Sequence, residues 1–165
     1  MATQAETEVL RLLSAIEVEP EDAAKAVLDL GDEAVTVLCE AALGSFPGLR
    51  AKVRTNAVAL LGWVKHPQAQ EATRLLIRDP NPDVSIRALR AVGRQKNSTI
   101  THDLGRMLQN ASLPPLVAAE VVKALIAIDS PESRKALSAY DIADPKALPH
   151  RGSELVAAYL QSRPH

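Results

Sequence analysis

Gly31, Gly62 and Gly93 lie 31 residues apart, and each closes a stretch of apolar residues at three- and four-residue spacing. A period of this size marks an array of repeats, and it narrows the choice of fold more than any other feature of the chain. Glycine after the last periodic residue reads as a helix C-cap. Superposing the last two stretches sets Val53 on Val84, Ala57 on Ala88, Leu60 on Ala91 and Leu61 on Val92. Ala26 and Leu30 hold the equivalent places before Gly31, and Val117, Val121, Ala124 and Leu125 restore the pattern 33 residues further on without a glycine. Small or branched residues at i, i+4, i+7 and i+8 make a narrow apolar stripe suited to close helix stacking.

A second helix is expected after each of these. Asp32 is placed to cap 33–43, Pro67 opens 68–78 where proline is tolerated, Ser98 or Thr99 caps 99–109, and Pro131 opens 132–140. Pro47-Gly48, the run Asp79-Pro80-Asn81-Pro82-Asp83, and Pro114-Pro115 separate the units as helix stops followed by new starts. A leading helix over 3–16 and a closing helix over 152–162 complete the chain, with 141–151 as a loop. The expected organisation is one domain over 1–165: a capping helix within 1–19, four helix pairs within 20–140, and a loop and closing helix within 141–165. Less regular ends are what the capping units of a repeat array require.

Four aromatic residues occur, Phe46, Trp63, Tyr140 and Tyr159, so Ala, Leu and Val must fill the core. Sheets favour alternating β-branched and aromatic residues, and no stretch alternates convincingly. The chain is therefore expected to be all-α. A helix pair of about 30 residues cannot bury its apolar stripe alone, so neighbours must stack into a continuous core. The single cysteine, Cys39, excludes an internal disulfide framework. No apolar run approaches the roughly 18 residues a membrane span needs, and MATQAETEVL carries no basic leader. A soluble cytoplasmic protein without membrane contact is expected.

The segment Asp79-Pro80-Asn81-Pro82-Asp83-Val84-Ser85-Ile86-Arg87-Ala88-Leu89-Arg90-Ala91-Val92-Gly93 resembles the HEAT repeat, most nearly the variety first named from phycobilisome lyase subunits. That pattern has an Asp-Pro turn, a Val-Arg start, Ala at the tight contact and Ala-Leu-Gly at the close of the first helix. Val53-Arg54-Thr55-Asn56-Ala57-Val58-Ala59-Leu60-Leu61-Gly62 is similar to it, including the arginine. The later repeat departs by placing Ser85 where that arginine is usual, with Arg87 two positions on. The units around 22–43 and 117–140 match in apolar pattern only. The resemblance implies a right-handed α-solenoid of about four HEAT-like helical hairpins with capping helices at both ends. In it the first helices line a convex side and the second helices a concave groove.

The net charge of −1 is unevenly spread. Residues 1–48 carry ten acids against Arg11 and Lys25, a net of −8, whereas residues 49–110 carry eleven bases against four acids, a net of +7. Arg87, Arg90 and Arg94 form a stripe opposite the apolar face of their helix, expected on the convex side. Partner-binding candidates on the groove side are Gln70, Arg74 and Arg78 on one second helix, and His102, Arg106 and Gln109 one unit later. Trp63, just after a helix-ending glycine, either staples a turn or stands partly exposed as an anchor. Acidic and basic ends can attract each other within one molecule or between copies, so a monomer or weak homo-oligomer is expected.

Residues that carry chemistry are sparse. Cys39, in pattern with Val35, Leu38 and Leu43, reads as a buried small hydrophobe rather than a reactive thiol. His66, His102, His150 and His165 share no metal-ligand spacing, and neither a phosphate loop nor a nucleophile elbow occurs. His102, Asp103 and Arg106 are too ordinary a set to define catalysis. Asp79 and Asp83 flank a turn and are expected to cap it. No catalytic residue, cofactor or metal is assigned. The expected function is a non-catalytic protein–protein interaction or scaffold module, its partner another protein with an acidic surface. The resemblance suggests a bacterial regulatory, helper or immunity-like protein. Alternatives are nucleic-acid binding through the basic middle repeats, weakened by the lack of interleaved aromatics, and a lyase-type enzyme subunit.

Overall fold

A computed structural model describes residues 1–15, 18–142 and 150–162. Among them are ten α-helices, one 3-10 turn and no strand. In order these are α1 (Gln4–Ser14), α2 (Pro20–Leu30), α3 (Asp32–Leu43), α4 (Ala51–Leu61), α5 (Pro67–Leu76), α6 (Pro82–Gln95), the 3-10 turn Ser98–Ile100, α7 (Thr101–Leu108), α8 (Pro115–Ile128), α9 (Pro131–Ile142) and α10 (His150–Ser162). The all-α expectation holds, and the helices fall into the pairs α2–α3, α4–α5, α6–α7 and α8–α9 between a leading and a closing helix, the order an α-solenoid requires. No described helix is long and apolar enough to cross a membrane.

The chain divides into two compact units between Ala91 and Val92, a point inside α6. In the first unit α1 packs on α3 and α3 on α5, while α2 packs on α4. In the second, α7 packs on α9 and α8 on α10. Second helices thus meet second helices, and first helices meet first. Ala34, Ala41, Ala42, Ala57, Ala69 and Ala88 are completely buried, as tight alanine contacts demand. Leu38, Leu61, Ile100, Leu104, Leu125 and Leu137 fill the remaining space without exposure. Fully burying one such side chain contributes about 1.5–3 kcal/mol.

Helix starts follow local chemistry. Thr3 and Glu6 form a reciprocal capping box on α1, at 3.1 and 2.9 Å. Pro20, Pro67, Pro115 and Pro131 occupy first helical positions, where the missing N–H costs nothing. Asp79 Oδ1 accepts from the Asn81 N–H and Asn81 Oδ1 from the Asp83 N–H, so the Asp-Pro-Asn-Pro-Asp run is the capping turn its composition suggests.

Several local expectations are corrected. Gly31 caps α2 with φ +97° and Gly62 caps α4 as expected, though in right-handed conformation, but Gly93 lies inside α6. A Cβ on Gly93 would stand 3.4 Å from the Ala124 Cα, so this glycine serves close helix approach rather than helix termination. Asp32 is the first residue of α3 and makes no cap; its carboxylate takes the His66 Nε2 at 3.3 Å, while His66 Nδ1 caps α5 by accepting from the Gln68 N–H. The 3-10 turn before α7 is capped by Asn97, not by Ser98 or Thr99, because the Asn97 side-chain oxygen Oδ1 accepts from both the Thr99 N–H and its hydroxyl. Helix α5 stops at Leu76, two residues short of expectation, α9 runs on to Ile142, and α10 begins at His150. The expected loop 141–151 is thereby trimmed at both ends, and its remainder, 143–149, lies outside the described residues, as does His165. His150 lies at the start of α10.

Candidate partner-binding cleft

Helix α7 buries Thr101, Leu104, Met107 and Leu108, which leaves His102, Arg106 and Gln109 exposed on the opposite side at i, i+4 and i+7. Helix α9 is set by the Ser130 hydroxyl, which accepts from the Ser133 N–H at 3.0 Å, and it anchors through Leu137. Glu132, Lys135, Ala136, Ala139 and Tyr140 then share one side at helical spacing. The two sets face each other across a cleft of about 510 Å³, with Ser98, Thr99 and Thr101 at one end. A Cβ on Gly105 would come 3.3 Å from the Ala136 Cβ, so glycine permits the close helix approach that forms the cleft floor.

The cleft is cationic. Arg106 and Lys135 make no ion pair among the described residues, and Glu132 is the one acid among the lining residues. Arg134, a neighbour on α9, is drawn away over the Tyr159 ring, 5.1 Å from its centroid, and the Tyr159 hydroxyl donates to Asp129. Tyr140 lines the cleft at 8% exposure, and its hydroxyl has no hydrogen-bond partner among the described residues. Burial pushes its pKa up, which keeps the hydroxyl a donor.

The other candidates lie elsewhere. Trp63 follows α4, is half-buried and lines a smaller cleft of about 230 Å³ in the first unit, beside Leu12 and Leu13 of α1 and Ala23 of α2. Gln70 and Arg74 are exposed on α5, where Arg74 reaches Glu71 at 3.6 Å. Arg78 is exposed but lies beyond the end of α5, so it does not continue that helical face. Arg87, Arg90 and Arg94 are exposed on α6, with Val84, Ala88, Ala91 and Val92 buried. Asp103 is half-buried, and His102 makes no polar contact among the described residues, so the two form no dyad.

Cys39 is buried, and burial together with the nearby Glu40 carboxylate pushes its thiol up to about 11. No group of three His, Cys, Asp or Glu among the described residues is placed to hold a metal ion. Lys135, Glu132 and Tyr140 were not legible as site residues. Their signal, spacing on the side of a second helix that meets α7, exists only once α7 and α9 are known to pack together.

Residues 70–148 match the family model described as HEAT repeats, a span that contains α6, α7, α8 and α9 and the whole cleft. The match supports a HEAT-repeat protein. A search of curated proteins finds no match to the chain.

Proposed function

We propose that this protein is a non-catalytic protein-interaction or scaffold module that holds its partner on the second-helix side, centred on the α7–α9 cleft. The observation that carries this reading is the alignment of exposed His102, Arg106 and Gln109 on one side of α7, facing Lys135 across a preformed hollow. The cleft lies wholly within the HEAT-repeat match, and HEAT repeats generally mediate protein–protein interaction. Rigid helices that present solvent-facing side chains around a shaped depression suit recognition of another surface. Within this class, the likeness to lyase-type repeats favours a bacterial helper, regulatory or immunity-like protein acting in the cytoplasm.

The test is affinity capture from native cell extract at physiological salt, comparing the wild type with an Arg106→Glu, Lys135→Glu variant of equal helicity by circular dichroism. A protein retained in stoichiometric amount by the wild type and lost by the variant is the expected result. A second reading, nucleic-acid binding, draws on the exposed Arg87, Arg90 and Arg94. Nucleic acid that elutes as salt rises, and is lost on Arg87→Glu but not in the cleft variant, would replace the first reading with the second.

A further inference from the structure

We propose that the α7–α9 cleft is a carboxylate pocket that takes an Asp or Glu side chain from an acidic segment of a partner protein. This deepens the interaction-module reading and rests on it. Three features of the cleft converge on that chemistry. Arg106 on α7 and Lys135 on α9 bring two cations, neither in an ion pair among the described residues, to the lining of one cleft, which favours an anionic ligand. The floor of Gly105, Ala136 and Ala139 is small and apolar, which leaves room for the methylene stem of an acidic side chain.

The third feature is Tyr140. Its hydroxyl is buried without a partner, a condition that costs about 1–3 kcal/mol in an otherwise satisfied fold. The hydroxyl lies just beneath the cleft surface, so an acceptor meets it only after a small shift of the wall, and a ligand oxygen that does so relieves that cost. Glu132 stands at the same rim and sets a limit, because it repels a second carboxylate placed beside it. Protein is favoured over a free small anion by the size of the hollow, about 510 Å³ between residues of α7 and α9, with Ser98, Thr99 and Thr101 also in its lining. Ser98 and Thr99 are exposed there, and the Thr99 oxygen, its proton already given to Asn97, is left to accept a peptide N–H beside an acidic side chain.

The experiment is an amide-resolved NMR titration of the full chain with acetyl-Glu-Ala-Glu-amide, alongside its Gln isostere, acetate and inorganic phosphate. Saturable shifts at Gly105, Ala136 and Ala139 with the Glu peptide are expected, and the Gln isostere should bind at least ~10-fold more weakly. Arg106→Gln with Lys135→Gln should weaken the peptide by a similar factor, and Tyr140→Phe by ~3–10-fold. Tyr140→Phe should meanwhile leave thermal stability unchanged or raised, since it removes an unsatisfied buried hydroxyl; a loss of stability would show that the hydroxyl is structural and overturn its role.

Equal binding of the Gln isostere overturns the carboxylate assignment. Acetate or phosphate binding as tightly as the peptide overturns the protein source. A mass by light scattering that rises with concentration, and no longer does so in Arg106→Glu, overturns the partner in favour of a second copy with its acidic 1–48 segment. If extract capture depends on Arg106 and Lys135 but the Glu peptide does not bind, the interaction module stands and the pocket chemistry falls. If the peptide saturates the cleft but the extract yields no protein, the pocket stands and the module reading falls.

Discussion

Val53-Arg54 and Val84-Ser85 occupy the same place in successive repeats, yet they close their turns by different physics. Arg54 is a bridge. Its Nε donates to the Ala42 carbonyl at 3.0 Å and its terminal nitrogen to Asp79 Oδ2 at 2.8 Å, which ties the end of α3 and the turn after α5 to α4. Asp79 Oδ1 holds the Asn81 N–H at the same time, so both carboxylate oxygens are used. Ser85 acts only locally. It is buried and donates its hydroxyl to the Ile77 carbonyl at 2.6 Å, within its own turn. A repeat position can therefore keep its backbone role while its side chain changes from a long-range tie to a short-range one. The serine at 85 is a local solution to the same turn rather than a defect.

Placing at 85 the arginine found at 54 should do the most damage. Ser85→Arg places a long cation at a site 4% exposed and removes the donor to Ile77. The loss should exceed about 4 kcal/mol, the range of an unpaired buried charge, and denaturant unfolding at equilibrium would show it. A variant that folds normally would mean the site can open a path to solvent. Arg54→Ala ranks next. It leaves the Ala42 carbonyl and one Asp79 oxygen without their donor and should cost about 2–3 kcal/mol, moderated because the Arg54 side chain is 25% exposed. Alkylation of Cys39 at pH 8 sharpens the contrast: Arg54→Ala should speed it by loosening the end of α3, whereas Ser85→Ala should not.

Gly44→Ala should cost about 1–2 kcal/mol by thermal melting. Its φ of +81° is left-handed, and a Cβ there would stand 3.3 Å from Arg54 Nε, so the bridge also dictates this residue. Smallest of all is Arg74→Ala, which removes an exposed pair with Glu71 at 3.6 Å and should change stability by less than about 0.5 kcal/mol. If partner capture fell with that variant at unchanged stability, the binding face would reach α5 as well as α7.

Much of the fold could be read from one chain because each helix declares itself locally. The buried set Val84, Ala88, Ala91 and Val92 follows from period alone, as does the exposure of Arg87, Arg90 and Arg94. Gly93 was misread because a glycine at a helix end and a glycine at a helix crossing look alike in sequence; only Ala124, 31 positions away, tells them apart. Asn97 was passed over because Ser98 and Thr99, beside it, are equally good caps by residue type. Arg78 was assigned to a face of α5 that ends before reaching it.

The division has one physical cause. Amphipathic period, proline starts and Asp or Asn turns act within a few residues, so the sequence by itself determined that this protein is a series of paired helices, which face of each is buried, and that α7 exposes His102, Arg106 and Gln109. What lies opposite those residues depends on packing between helices far apart in the chain. Tertiary structure alone decided that Lys135 and Tyr140 stand across from Arg106, that Trp63 belongs to a different cleft, and that Arg54 reaches both Ala42 and Asp79.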